Sequence, residues 1–232
     1  MKTKSSSAFT LIEVVTSMAI ILVLTGLVIS ISGYVQKKGS QARAQGEMAM
    51  LGAAAESYKA DNGGYPQDLE ASAADSNTDR LSPKLHFNPT SDEYEKSSKF
   101  LYKQLTGDKQ GQTDDSDPDG IPDKGEPAYL KEFDPRILKT KKDDSNKILE
   151  VKYFQDPWGF SYGYSTAAAG KEREYQNDAK KNAKAARPTG EAMPGFNSAS
   201  YDLWSTGGSR PNSAPTSPKA KELEWAKWVK NW

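Results

Sequence analysis

The stretch FTLIEVVTSMAIILVLTGLVISISGYVQ, residues 9–36, contains a single charged side chain, that of Glu13, close to its start. As a helix, residues 14–36 are long enough to cross the hydrocarbon core of a bilayer, which is about 30 Å thick. A carboxylate in such a segment is costly and usually has a partner or a function. The sequence therefore predicts a membrane-embedded helix whose acid needs a cation nearby.

The same helix is predicted to continue beyond the membrane. No proline occurs before Pro66, so the helix can run over residues 9–60, and it ends where Asn and Gly residues precede that proline. Apolar residues at three- and four-residue spacing form a stripe on its second half that can pack on a domain: Met48, Leu51, Ala55 and Tyr58. The helix is thus expected to be a membrane anchor, spanning at about 14–36, and then a spine for a globular domain over residues 61–232.

The residues before the apolar stretch, 1–8, are polar and contain two lysines, which favour a cytoplasmic N-terminus. Cleavage after Ala8 would create a new amine on Phe9. In an oligomer packed through these helices, the amine of one subunit can lie beside Glu13 of its neighbour, so that each charge offsets the desolvation of the other. This interpretation makes the chain a polymer subunit.

The pattern resembles the prepilin leader and N-terminal helix shared by type IV pilins and the pseudopilins of type II secretion. The resemblance implies that a prepilin peptidase removes the leader, residues 1–8, and methylates the new N-terminus. It also implies roles in cleavage and methylation for Ala8 and Phe9, and in assembly for Phe9 and Glu13. This chain has Ala8 where the family normally has Gly. The matching residues are Lys4, Ala8, Phe9, Thr10, Leu11, Ile12, Glu13 and Val14.

Shorter segments after the helix are similar to the major pseudopilin of type II secretion. They are NGGYP at 62–66, DPWG at 156–159 with two following tyrosines, and YDLWSTGG at 201–208. Residues 69–148 look like an expansion of the loop region relative to a compact pseudopilin. The implied fold class is α+β, with the long N-terminal helix packed on a small antiparallel β-sheet domain that has long loops.

The local patterns predict several further elements in the globular domain. Alternating apolar and aromatic residues indicate two strands joined as a hairpin by the turn at 156–159. The predicted elements are a helix over 93–105, strands over 148–153 and 159–165, a weak helix over 167–186, a strand over 201–205 and an amphipathic end over 222–232.

An acidic segment, DSDPDGIPDKGE at residues 115–126, fits the spacing of an EF-hand calcium loop. Gly120 permits the sharp bend, and oxygen ligands at alternating positions can surround one hard cation. The alternative is a solvated acidic linker. Calcium in the resembled pseudopilins binds near the C-terminus, where this chain has no acid between Gly207 and Glu222, so loop 115–126 is expected to supply the site instead. The predicted Ca²⁺ ligands are Asp115, Asp117, Asp119, the Ile121 carbonyl, Asp123 and Glu126.

Other chemistry has little support in the composition. Lys plus Arg and Asp plus Glu both number 31, so no basic excess favours nucleic-acid binding. The chain has no cysteine, which excludes disulfides and thiolate metal sites. The lone histidine, His86, is interpreted as a surface or packing residue, and the tryptophans as core. No nucleophile elbow or phosphate loop is present, and an enzyme is not expected.

These observations predict a structural subunit of a type II secretion pseudopilus, which polymerises through its N-terminal helix to drive protein export. The expected partners are copies of the chain, minor pseudopilins, the prepilin peptidase and the inner-membrane secretion platform. The expected location is the bacterial inner membrane, which the chain crosses once. The C-terminal domain is expected in the periplasm, and the filament in the periplasm or at the cell surface.

One alternative function is that of a type IV pilin for adhesion, motility or DNA uptake, although a disulfide-closed C-terminal loop would be expected in such a pilin. The other is a membrane-anchored calcium-binding protein that does not polymerise.

Overall fold

The computed structural model describes residues 9–67, 78–109 and 119–232. The fold is α+β, as predicted, with one long N-terminal helix and small antiparallel sheets. The chain divides into two compact units, residues 1–42 and 43–232. The predicted leader, including Ala8, lies outside the described residues.

The long helix α1 spans Leu11–Asn62. It ends at Gly63, which has a φ of +75° and whose backbone N–H donates to the carbonyl of Lys59 over 2.8 Å. Glycine adopts this left-handed conformation without the steric cost that a Cβ would bring. The predicted stripe is confirmed: Met48, Leu51 and Ala55 are buried, and Tyr58 packs against them half-buried. The second half of α1 is therefore a wall of the core.

Three shorter α-helices follow in the part of the chain that the structure describes. Helix α2 spans Asp92–Thr106, as predicted to within a residue at each end, and it packs on a strand of the first sheet. Acidic residues occupy its first turn and Gly107, with a φ of +76°, ends it, as helix electrostatics and capping favour. Helix α3 spans Ala167–Lys181 and helix α4 spans Pro218–Trp225.

Five strands among the described residues form two sheets. In the first, β1 (Leu138–Lys142) pairs antiparallel with β2 (Ile148–Phe154). In the second, β4 (Asp202–Ser205) is central and pairs antiparallel with both β3 (Gly163–Ser165) and β5 (Val229–Lys230).

The predicted hairpin of 148–153 with 159–165 is present around its turn, where the backbone N–H groups of Tyr162 and Asp156 donate to the carbonyls of Phe154 and Phe160, but its two strands do not share a sheet. Strands β2 and β3 lie in different sheets, and between them only Gln155 and Ser161 form an isolated antiparallel bridge. The turn at 156–159 is present, and Asp156 fixes it, since its Oδ1 accepts from the backbone N–H groups of Trp158 and Phe160. Asp156 Oδ2 accepts from the Ser205 hydroxyl over 2.5 Å. The turn is therefore bonded to β4, and it passes the chain from one sheet to the other.

The core contains a larger cluster built on α1 and the sheets, and a smaller one that is mostly aromatic. We call the second the aromatic cluster; its buried members are Leu81, Phe87, Tyr94, Trp204 and Trp228. The prediction that the tryptophans are core residues is confirmed for Trp204 and Trp228, while the other three are half-buried. The predicted amphipathic end at 222–232 is instead the last part of α4 followed by β5, because Trp228 and Val229 turn inward beside β4.

Candidate assembly segment and candidate cation site

The first turn of α1 is closed by a reciprocal pair of hydrogen bonds between Thr10 and Glu13. The carboxylate Oε2 of Glu13 accepts from the backbone N–H and from the hydroxyl of Thr10, each over 2.8 Å. The Glu13 backbone N–H donates to the Thr10 hydroxyl over 3.4 Å. This is a capping box, in which the two residues satisfy backbone donors at the helix start. Sequence reasoning missed it, although the Thr-x-x-Glu spacing is its local signal.

Three hydroxyl groups further along the apolar segment form hydrogen bonds within their own helix. The hydroxyls of Thr16, Ser17 and Thr25 donate to backbone carbonyls one turn earlier, over 2.7–2.8 Å. Groups in hydrocarbon must be satisfied within the protein, and a hydroxyl bonded to its own helix meets that requirement. Among the described residues, α1 is the one helix long and apolar enough to cross a membrane.

The predicted assembly residues Phe9 and Glu13 both lie at this helix start. The Phe9 side chain is 86% exposed, and large apolar side chains are exposed along the helix over residues 11–27 and at Tyr34 and Val35. Phe9 is the residue immediately before the capping box, so an amine on it would lie at the same end of the helix as the Glu13 carboxylate. The structure thus places an acid, already hydrogen-bonded, at one end of an uncovered apolar surface.

The second candidate site is the acidic segment at 115–126, which the structure describes from Asp119 onward; Asp115 and Asp117 lie outside the described residues. Gly120 has a φ of +91°, so the predicted sharp bend is present. Asp119 Oδ1 accepts from the backbone N–H of Ile121 over 3.0 Å. Within the described part of the chain, no three acidic, His or Cys side chains lie close enough together to hold a metal ion.

Lys109 contacts two of the predicted calcium ligands. Its backbone N–H donates to Asp123 Oδ2 over 2.9 Å, and its ammonium lies 2.5 Å from Glu126 Oε2. Glu126 is the residue expected to close the calcium shell, and here its charge is balanced by a lysine. This half of the segment is held to the end of α2 by Lys109.

The sequence analysis did not single out Asp108, which is completely buried at the end of α2. Its Oδ2 accepts from the Tyr102 hydroxyl and from the backbone N–H of Gly120, both over 2.7 Å. Its Oδ1 is buried without a hydrogen-bond donor among the described residues. Burial raises the pKa of the Asp108 carboxyl and the negative charge of Asp119 raises it further, whereas hydrogen bonds from the Tyr102 hydroxyl and from the backbone N–H groups of Gly120 and Asp119 lower it in part.

Comparison with known proteins adds no relative. No family model, curated protein or solved structure matches this chain.

The lone histidine has a packing role in this structure. His86 is half-buried, and its Nδ1 accepts from the backbone N–H of Ser82 over 2.9 Å. Its carbonyl accepts from the Tyr94 hydroxyl over 2.9 Å. These contacts tie the loop before α2 to the aromatic cluster, which agrees with the interpretation of His86 as a packing residue.

Proposed function

We propose that the chain is a pseudopilin, a subunit of a type II secretion pseudopilus that polymerises through α1 to drive protein export. The observation that carries the proposal is the acid at the start of a long, uncovered apolar helix. The resemblance of residues 4–14 to the prepilin motif supports the same function. The partners are further copies of the chain, minor pseudopilins, the prepilin peptidase and the inner-membrane secretion platform.

The physical reason for assembly is that the negative charge of Glu13 has no positive charge to balance it within the first turn of its own helix. Thr10 gives its carboxylate two hydrogen bonds but no positive charge. Moving a charge out of water is costly, and an opposite charge in good geometry offsets that cost. The Phe9 amine of a neighbouring subunit, produced by cleavage after Ala8, supplies the missing charge.

The apolar surface of α1 supplies the attraction for a bundle of such helices. Large apolar side chains over residues 11–27 and at Tyr34 and Val35 are exposed on the isolated chain, with Leu11 at 83% and Leu22 at 73%. In a membrane, lipid covers this surface, and in a filament, neighbouring helices do. The globular domain then lies in the periplasm, because the lysines of the leader favour a cytoplasmic N-terminus.

Substitutions at the capping box separate the charge of Glu13 from its role in the helix. Glu13→Gln keeps an acceptor for the Thr10 donors, since Gln also serves in capping boxes, but it removes the charge. We expect Glu13→Gln and Glu13→Ala to insert in the membrane normally and to abolish filament assembly. Thr10→Ala weakens the cap and keeps the charge, and we expect it to assemble.

The measurements are membrane fractionation for insertion, electron microscopy and cross-linking for filaments, and mass spectrometry to verify that each variant begins at Phe9. Filaments at the wild-type level from Glu13→Gln would rule out the charge pairing. Insertion with no filament from any version of the chain, the wild type included, would favour the non-polymerising calcium-binding anchor. Filaments displayed on the cell surface would favour a type IV pilin.

A further inference from the structure

Helix α1 carries two adjacent lysines directly after its apolar segment. Residues 14–36 contain no charged side chain, and Lys37 and Lys38 are the first that follow. Both lysines are exposed on the helix. A helix rises about 1.5 Å per residue, so this uncharged segment extends about 35 Å, slightly more than the hydrocarbon core of a bilayer. In a membrane-spanning α1, both ammonium groups therefore lie at the level of the lipid headgroups.

A tyrosine lies on the same face of the helix as these lysines. Tyr34 precedes them by three and four residues, the spacing that brings side chains together on a helix. Tyr34 is 65% exposed, and the Lys38 Nζ lies 5.8 Å from the centroid of its ring, within reach of a cation–π contact. Tyrosine is enriched at membrane–water interfaces, where its ring sits at the headgroup level. We call the surface formed by Tyr34, Lys37 and Lys38 the headgroup face.

The two lysines have no negative partner within the described part of the chain. The next cation along the helix, Arg43, is paired with Glu47 at 2.6 Å. Neither Lys37 nor Lys38 forms an ion pair with a carboxylate that the structure describes. Basic residues at this end of the span also oppose the charge bias that keeps the N-terminus in the cytoplasm. Their positive charge is thus available to an anion outside the chain.

We propose that the headgroup face binds the phosphate groups of anionic phospholipids in the periplasmic leaflet of the membrane. A lysine near an anionic membrane surface strengthens binding about fivefold. The Tyr34 ring fixes the depth of the helix, and the two ammonium groups select lipids with a net negative charge. The binding rests on α1 spanning the membrane, which is part of the proposed function, but it does not require polymerisation.

The experiment uses the full chain in detergent, mixed with equal amounts of phosphatidylglycerol, which is anionic, and phosphatidylcholine, which carries a phosphate but no net charge. Native mass spectrometry counts the lipids of each kind that stay bound. We expect the wild type to prefer phosphatidylglycerol, and the double variant Lys37→Gln/Lys38→Gln to lower that preference by about fivefold or more. Inorganic phosphate in large excess should leave the preference unchanged, because it has no acyl chains to hold it beside the helix.

Two further variants separate the charge at this position from other effects. Lys37→Arg/Lys38→Arg keeps both charges and should keep the wild-type preference. The matched control is Lys180→Gln/Lys181→Gln, which removes two adjacent exposed lysines from the end of α3 and should also keep it. A loss in this control as large as that in the α1 variant would show that net charge alone sets the preference, and would overturn the proposal.

The remaining outcomes distinguish the lipid binding from the function on which it rests. An unchanged preference in Lys37→Gln/Lys38→Gln would overturn the proposal, and so would displacement of the lipid by inorganic phosphate. If that variant kept the lipid preference and lost filaments, the lysines would contact another subunit instead. Release of the wild type from membranes by alkaline extraction would overturn both this proposal and the proposed function. A wild type that stays in the membrane and shows no preference overturns the lipid binding alone.

Discussion

Trp204 is completely buried at the centre of the aromatic cluster, and its only polar atom has one partner. The indole Nε1 donates to the Tyr94 hydroxyl over 2.9 Å, and that hydroxyl donates to the His86 carbonyl over 2.9 Å. The Tyr94 and Trp204 rings also meet edge to face, 5.6 Å apart. One hydroxyl thus accepts from the Trp204 indole N–H and donates to the His86 carbonyl.

Tyr94→Phe should be clearly destabilising, because it keeps the ring and removes only this hydroxyl. The Trp204 N–H would remain buried without an acceptor, which costs about 1–3 kcal/mol of the free energy of unfolding. Urea unfolding followed by tryptophan fluorescence measures the change. Tyr129→Phe is the matched control, since the Tyr129 hydroxyl bonds only the exposed Asn62 amide, and we expect little effect. Equal stability of Tyr94→Phe and the wild type would contradict this account.

Residue-level predictability depends on how local the contact is. The capping box of Thr10 and Glu13 lies within one turn and was readable as Thr-x-x-Glu. The role of Asp108 was not readable, because it needs Gly120, twelve residues further on, to return to the end of α2. The EF-hand spacing covers only residues 115–126, and Asp108 lies before it.

At the level of elements, strand β3 owes its position to a glycine. A Cβ on Gly163 would lie 2.2 Å from the Trp204 ring, so the strand can approach β4 closely only without a side chain there. Gly163 is directly paired with Trp204 in the antiparallel register. The close approach brings the second sheet onto the aromatic cluster.

Gly163→Ala should therefore destabilise the domain. Extra atoms in a packed core typically cost about 1–3 kcal/mol, and here the Trp204 ring must move to accommodate them. The control is Gly46→Ala, in α1, where a Cβ would meet nothing within 4 Å, and where alanine should stabilise by up to about 1 kcal/mol. Thermal unfolding of both variants measures the difference. If Gly163→Ala raised the melting temperature as Gly46→Ala is expected to, the account of the close approach to Trp204 would be contradicted.

Helices and strands were predicted correctly where the local sequence pattern alone determines them. Helix α2 and strands β2 and β4 were readable from periodicity and from aromatic and β-branched content. Strand β1, LKTKK, was missed, because lysines at an exposed edge look like loop and only pairing with β2 makes them a strand. The same pairing explains why β2 and β3 do not continue their hairpin as one sheet, since local alternation cannot indicate which neighbour a strand pairs with.

At the scale of the whole molecule, the unit of residues 43–232 contains the entire described core. The first buried core residue is Ala44, at 0% exposed, and Met48 and Leu51 follow it on the same helix face. Burying a side chain such as Met or Leu contributes about 1.5–3 kcal/mol each. The part of α1 before Arg43 contributes no residue to either core cluster.

A chain truncated to residues 37–232 should therefore be soluble and unfold cooperatively, since the uncovered apolar segment is gone and the core is complete. Truncation to residues 57–232 should not fold, because it removes five buried residues of α1: Ala44, Met48, Leu51, Ala54 and Ala55. Urea unfolding and near-ultraviolet circular dichroism distinguish the two. Folding of the shorter chain with an unchanged midpoint would show that the α1 stripe is dispensable.

The capping box has a consequence for subunits that are waiting in the membrane. Because Thr10 already donates two hydrogen bonds to the Glu13 carboxylate, an unassembled chain keeps hydrogen-bond partners for this acid. If chains do join as proposed, the neighbour's amine adds to or replaces these bonds, and a departing subunit returns to them. Growth and retraction would then exchange one set of partners for another, so the same pool of chains could be recycled through many rounds.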